Sequence, residues 1–132
     1  MLSNLPSGVK ISISRSIKTA FEQYMAKILW GEDAYRFEDF MKEWREYIHN
    51  HASWYDQISD EMKASDEFHQ ELADKITEVI EKIFSEEPTS KQIEELESLQ
   101  KELNTSVDYS CKAEAKFYLS YLKEQLKKKK QS

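Results

Sequence analysis

The sequence contains few residues that could form tight turns. Only two glycines and two prolines occur among 132 residues, and the 56 residues between Gly31 and Pro88 contain neither. A β-rich domain needs turn residues about every 8–12 positions, so this scarcity excludes a mainly β fold. It also excludes the glycine-rich loops that bind phosphate groups.

Cysteine and long apolar runs are also scarce. Cys111 is the only cysteine, which rules out an internal disulfide and suits a reducing compartment. No stretch approaches the roughly 18–20 apolar residues of a membrane span. Residues 1–16 also lack the apolar block of a signal peptide. The sequence therefore predicts a cytoplasmic protein with no membrane span, in which Cys111 is a small buried hydrophobe.

The residues that are abundant favour α-helix. Glu, Lys, Leu, Gln, Ala and Met fill the gaps between apolar residues that recur at spacings of three and four. This pattern predicts an all-α, antiparallel bundle of four main helices, with residues 1–132 forming a single domain. We expect helices at about 14–30, 33–63, 66–86 and 90–128, a short N-terminal tail at about 1–12, and a lysine-rich C-terminal end at 127–132.

Local signals indicate where these helices begin and end. Gly31 is the residue type that favours a left-handed turn after the first helix, and Ser65 can cap the third. Thr89 with Gln92 forms a capping box before the fourth helix. The second and fourth helices are long for a domain of this size. Polar residues cluster near Asn50 and near Thr105, which are therefore possible breaks, and the pattern leaves open whether the helices at 33–63 and 90–128 are continuous.

The charges are distributed unevenly along the chain. The net charge is −6, but it is +3 over residues 1–30, −14 over 31–108 and +5 over 109–132. The basic ends could simply fold against the acidic middle, or the acidic middle could form a surface for a basic partner. Either arrangement argues against general nucleic-acid binding, which needs a net basic surface.

Aromatic residues concentrate in the first half of the chain, and some are predicted at the edge of the apolar stripes. On a continuous second helix, Phe37 and Trp44 fall within the apolar stripe. Trp54 lies about 80° from the centre of that stripe and could show one ring face to solvent. Aromatic residues at such margins either complete the core or anchor a protein interface. The candidate partner-binding residues are Trp30, Tyr35, Tyr47 and Trp54.

Two pairs of carboxylates suggest an enzymatic alternative. Glu43 and Glu46 form a Glu-x-x-Glu pair, and Glu71 and Asp74 form a Glu-x-x-Asp pair further along the chain. This arrangement resembles the all-α nucleoside-triphosphate pyrophosphohydrolases of the MazG type. The resemblance implies that the four carboxylates hold Mg²⁺ on a triphosphate while water attacks between phosphates. On the helical wheel, however, Glu43 and Glu46 lie opposite the apolar stripe.

The remaining chemistry-bearing residues do not form a recognisable site. Glu46 and His49 make one Glu-x-x-His pair, whereas a di-iron bundle needs two, and no zinc spacing or Ser-His-Asp set occurs. We therefore expect no metal, no cofactor and no catalytic residue. The preferred hypothesis is a non-enzymatic interaction module, a small regulator, inhibitor or adaptor. Its partner would be a protein with a basic patch or a second copy of the chain.

Overall fold

The computed structural model describes residues 4–131, and helices account for most of them, with no strand in that range. The all-α prediction is therefore confirmed. The helices are α1 (Ser7–Lys27), a 3₁₀ turn (Glu32–Ala34), α2 (Phe37–His51), α3 (Ser53–Asp56), α4 (Asp60–Lys63), α5 (Asp66–Ser85), α6 (Ser90–Leu103) and α7 (Lys112–Gln131).

Contacts within the chain fall into two compact units. The first unit ends at Glu81 and the second begins at Lys82, so α5 belongs to both. Each unit is described by itself below. A single domain over residues 1–132 stays a prediction.

Helix α1 begins at Ser7, earlier than the predicted start near residue 14. The carbonyl of Pro6 accepts hydrogen bonds from the N–H groups of Val9 and Lys10, at 3.0 and 3.1 Å. Val9 and Ile13 are buried, so they extend the apolar stripe of α1 toward the N-terminus. Residues 7–12 are thus helical rather than part of the predicted tail. Residues 1–3 of that tail lie outside the described residues.

Helices α1 and α2 pack as an antiparallel pair, as predicted. The end of α1 lies beside the start of α2, where the hydroxyl of Tyr24 hydrogen-bonds the backbone of Arg36. About one turn back along α1, the rings of Phe21 and Phe40 are 5.3 Å apart. Both of these rings are fully buried, at 0% exposed. The pair therefore forms part of the core of the first unit.

The predicted second helix, 33–63, is divided into α2, α3 and α4. The first break is at Ala52, which has extended backbone angles (φ −113°, ψ 93°) and lies two residues after the predicted break at Asn50. A second break precedes α4, whose N-cap Ser59 accepts a hydrogen bond from the N–H of Met62 at 3.1 Å. The expected cap at Ser65 is also present, because its Oγ accepts from the N–H of Phe68 at 3.0 Å.

The turn after α1 differs from the one that Gly31 predicted. Leu29 and Trp30 adopt the left-handed conformation (φ 54° and 55°), whereas Gly31 has φ −77°. Glycine is instead favoured at position 31 because there is little room for a side chain: a Cβ there would lie 3.2 Å from the carbonyl oxygen of Ile28. Left-handed backbone costs a non-glycine residue roughly 1–2 kcal/mol, so two consecutive residues store strain in this turn.

In the second unit, α6 and α7 run parallel rather than antiparallel. The N–H of Lys112, at the start of α7, donates to the carbonyl of Glu86, just before α6, at 2.8 Å. Lys123 pairs with Glu95 at 3.4 Å, and Lys129 reaches the carbonyl of Glu102, near the end of α6, at 3.1 Å. Contacts therefore advance in the same direction along both helices.

An extended connection makes the parallel arrangement possible. Asn104 ends α6 in the left-handed conformation (φ 52°), near the break predicted at Thr105. Residues 105–110 then run back without helix, and the side chain of Gln100 accepts from the N–H of Val107 at 3.0 Å. An extended residue spans about 3.3 Å and a helical one about 1.5 Å. A short extended segment can therefore cover the length of α6.

Apolar side chains from both helices and the connection form the core of the second unit. Leu96 and Leu122 are almost completely buried, and the predicted capping box at Thr89 and Gln92 is present at the start of α6. Cys111 is 1% exposed, as expected of a small buried hydrophobe.

Candidate functional site

Trp54 does not have the exposed ring face that the sequence predicted. It is 2% exposed, and its Nε1 donates a hydrogen bond to the Oγ of Ser16 on α1 at 2.9 Å. Its ring also stacks on Trp44, with centroids 6.2 Å apart. The prediction assumed a continuous helix, but the break at Ala52 resets the helical phase, so Trp54 turns into the core.

The other three candidate aromatics are buried or half-buried. Trp30 is 6% exposed and packs edge-on against Phe21, whereas Tyr35 and Tyr47 are half-buried. Burial, with a smaller contribution from the neighbouring Tyr24, raises the pKa of the Tyr35 phenol. Tyr47 stacks on Trp44 at 6.3 Å and lies at the edge of the core. Only Tyr35 and Tyr47 therefore keep part of their surface available to a partner.

An aromatic residue that the sequence placed in the core is exposed instead. Phe37 is the first residue of α2 and is 46% exposed. The acidic side chains on either side of it along the chain are also exposed: Glu32, Asp33, Glu38 and Asp39. We call residues 32–39 the acidic turn. It presents one large apolar side chain within a negatively charged segment.

The acidic turn is held in place by hydrogen bonds to its backbone. The hydroxyl of Tyr24, on α1, accepts from the N–H of Arg36 at 3.0 Å and donates to the carbonyl of Arg36 at 3.2 Å. The guanidinium of Arg36 donates to the carbonyls of Asp33 and Tyr35, at 3.1 and 2.8 Å. The turn therefore has a defined conformation before any partner binds.

The helical phase explains why the sequence did not identify Phe37. It shares a stripe with Phe40, and their rings are 6.4 Å apart, but only Phe40 is fully buried. Periodicity identifies the face of a helix, whereas burial at a helix end depends on which neighbours reach that far. No signal in the sequence distinguishes these two phenylalanines.

The four carboxylates of the enzymatic hypothesis do not form one cluster. Glu43 binds the ammonium of Lys27, and this hydrogen bond and the charge of Glu43 raise the pKa of Lys27. Asp74 is exposed and accepts from the Nε2 of Gln70, one turn earlier on α5, at 2.9 Å. Across residues 4–131, no three side chains among His, Cys, Asp and Glu are grouped so that they could hold a metal ion.

Two of those carboxylates line a small polar cavity between α1 and α2. The cavity has a volume of about 150 Å³, and Glu43 and Glu46 share its walls with Lys27, Tyr47 and His51. Glu71 and Asp74 do not line it. The geometry that the pyrophosphohydrolase hypothesis requires, with both pairs facing one metal site, is therefore not met by these side chains.

A larger cavity of about 340 Å³ lies between α2, α3 and α5 in the first unit. Its base consists of buried apolar residues, which are each between 1% and 8% exposed: Trp44, Ile48, Phe68, Leu72 and Ile76. Met41, Tyr55 and Ala73 complete the apolar wall. We call this the apolar cavity.

The rim of the apolar cavity is polar and carries only basic or neutral groups. Arg45 and His49 lie one turn apart on α2, and His69 lies on α5; all three side chains are exposed. His49 also packs edge-on against the ring of Tyr55, at 5.2 Å. No carboxylate lines the cavity. The sequence did not predict this site, because its walls come from helices whose relative packing no local pattern specifies.

Comparison with known proteins finds no match to any protein-family model, curated protein or solved structure. Within residues 4–131, no helix is both long and apolar enough to cross a membrane.

Proposed function

We propose that this protein is a non-enzymatic interaction module that binds a protein partner through the acidic turn, with Phe37 as the anchor. The partner surface is basic and contains an apolar pocket for the phenylalanine ring. Tyr35, half-buried beside Phe37 in the chain, contributes to the margin of the contact. A regulator, inhibitor or adaptor needs only such a shaped surface.

The observation that supports this proposal most is the exposure of Phe37 in an ordered segment. Large aromatic side chains dominate the binding energy of protein interfaces when they enter a partner pocket. An exposed phenylalanine ring would contribute more to the fold if it were buried, as that of Phe40 is. The hydrogen bonds between Tyr24 and Arg36 lower the conformational entropy lost on binding, because the turn is already ordered.

The negative charge of the acidic turn favours a basic partner. Residues 31–108 carry a net charge of −14, and four exposed carboxylates belong to the acidic turn. Opposite charges on the rims of an interface mainly accelerate encounter, and salt screens them. We therefore expect added salt to reduce the association rate more than it raises the dissociation rate.

A second copy of the chain is one partner that meets the charge requirement. Residues 109–132 carry a net charge of +5, and the four lysines Lys127–Lys130 are exposed. The basic end of one copy could thus bind the acidic turn of another. Sedimentation equilibrium at low and high salt distinguishes this dimer from a complex with a different protein.

The experiment is photo-crosslinking from position 37 in extract of the native cells, followed by binding kinetics with the captured protein. Phe37→Ala should weaken binding by at least about 2 kcal/mol, the usual threshold for an interface hot spot. Its thermal midpoint should change little, because the side chain is already half exposed. Phe84→Ala is the matched control, since Phe84 is similarly exposed (48%) but lies on α5 in the second unit. If both variants bind with the affinity of the unmodified protein, the acidic turn is not the interface.

The enzymatic alternative is tested in parallel. Incubation with nucleoside triphosphates and Mg²⁺ or Mn²⁺ should release no pyrophosphate, because the two carboxylate pairs do not share a site. Release that disappears in Glu71→Gln would refute the non-enzymatic proposal and establish the pyrophosphohydrolase.

A further inference from the structure

The apolar cavity plays no part in the proposed interface, and its chemistry differs from that of the acidic turn. Its rim contains Arg45, His49 and His69 and no carboxylate, although the surrounding sequence is strongly acidic. Close by, the ammonium of Lys63 lies 4.2 Å from the centroid of the Tyr55 ring, which forms part of the wall. Two cationic side chains, Arg45 and Lys63, thus lie at or near this opening.

The basic rim specifies the charge of the occupant. A guanidinium binds a carboxylate through two parallel hydrogen bonds, and the imidazole N–H groups of histidines can donate to the same anion. An acidic protein repels free anions over much of its surface, so a local basic rim is a place where one can approach. The headgroup that complements this rim is an anion.

The apolar wall of the cavity specifies the remainder of the occupant. Met41 and Tyr55 are half-buried and Ala73 is exposed, so whatever enters meets the apolar surface of these three side chains. A volume of about 340 Å³ lies at the lower end of the roughly 300–1,000 Å³ typical of small-molecule sites. The body of the ligand is therefore apolar and small, a short alkyl chain or a single ring.

We propose that the apolar cavity between α2, α3 and α5 binds a small amphipathic carboxylate. Its alkyl chain or ring packs against Met41, Tyr55 and Ala73, the apolar wall residues that keep accessible surface. Its carboxylate binds the guanidinium of Arg45, with His49 and His69 as further donors. This site is separate from the acidic turn, so its test neither depends on the proposed function nor decides it.

Octanoate is the probe and 1-octanol is its uncharged counterpart. Binding is followed by titration calorimetry and by the NMR signal of the Met41 methyl group, which reports on the wall of the cavity. Octanoate should bind with a stoichiometry of one and shift the Met41 signal. Octanol, which lacks the carboxylate, should bind about tenfold or more weakly.

Two variants test the two parts of the site. Arg45→Gln removes the charge and should weaken octanoate binding about tenfold or more, while binding of octanol stays the same. Arg15→Gln is its control, an exposed arginine on α1 that does not line the cavity. Ala73→Phe fills the cavity and should abolish binding of both probes. Thr77→Phe, at an exposed position of α5 outside the cavity, should abolish neither.

Several results would overturn the proposal. Octanoate that fails to shift the Met41 methyl signal at millimolar concentration does not enter this cavity. Equal affinity for octanoate and octanol, unchanged in Arg45→Gln, would mean that only apolar adsorption occurs. If octanoate does not bind but an acidic amphipathic peptide shifts the Met41 signal, the cavity is a peptide groove instead. Should Ala73→Phe fail to fold, the comparison of Arg45→Gln with Arg15→Gln still decides the question.

Discussion

Trp44 shows how one residue can connect several parts of the core. It is 2% exposed, and its ring stacks on Tyr47 on one neighbouring turn and on Trp54 from α3. The same side chain lines the apolar cavity. Loss of this indole would therefore remove packing between α2 and α3 and part of the wall of the apolar cavity.

We expect Trp44→Ala to lower the free energy of unfolding by about 3–5 kcal/mol, as truncation of a buried aromatic residue does. Urea denaturation followed by circular dichroism measures this change. Phe37→Ala, which truncates an exposed aromatic side chain, is the control and should lower the free energy of unfolding by less than about 1 kcal/mol. If the two variants unfold at the same urea concentration, Trp44 does not carry the packing that its burial indicates.

In the part of the chain that the structure describes, the turn after α1 is where two consecutive non-glycine residues have positive φ. Leu29 has φ 54° and is 56% exposed, so its side chain contributes little packing to offset the strained backbone. We expect Leu29→Gly to raise the free energy of unfolding by about 0.5–1 kcal/mol, because glycine adopts this conformation without steric cost. Ile11→Gly should have the opposite sign, since Ile11 is similarly exposed (51%) but lies within α1, where glycine disfavours helix. A loss of stability in both variants would show that the left-handed turn is not strained.

The direction of α7 is a second prediction at the scale of elements. A nitroxide label attached at position 102, through Glu102→Cys in a Cys111→Ala background, should broaden the amide signals around Lys129. In the parallel arrangement these signals are close to the label, whereas those around Lys112 lie at the other end of α6. A label at Glu94, nearer the start of α6, is the control and should broaden a different part of α7. Strong broadening at Lys112 by the label at position 102 would indicate an antiparallel pair.

At the scale of the whole molecule, the question is whether the two units unfold together. All three tryptophans, Trp30, Trp44 and Trp54, belong to the first unit, so their fluorescence reports on that unit alone. Circular dichroism reports on helices in both. We expect the two signals to share one thermal midpoint, because α5 belongs to both units and its unfolding would disrupt each. Trp44→Ala should then shift both signals equally. Separate midpoints would show two independent domains and would refute the single-domain prediction.

The sequence by itself determined the features that depend on neighbours along the chain. Helix propensity and the shortage of glycine and proline led to an all-α fold, and the caps at Ser65 and Thr89 are where the local motifs indicate. The sequence also indicated where the two long helices could break, near Asn50 and Thr105, since polar residues interrupt the apolar pattern there, but it did not decide whether they do. These features depend on hydrogen bonds and residue spacings within a few positions of the chain. A short stretch of sequence therefore contains the information needed to predict them.

The tertiary structure decided the features that depend on contacts between distant residues. Trp54 is buried and Phe37 exposed because the break at Ala52 changes the helical phase and because no neighbour covers the first turn of α2 completely. The parallel direction of α7 follows from contacts such as that of Lys112 with Glu86. The extended connection allows this direction, but its sequence does not predict it. The apolar cavity exists only where α2, α3 and α5 meet. Periodicity indicates which face of a helix is apolar, but only the tertiary packing determines which other helix or solvent each face contacts.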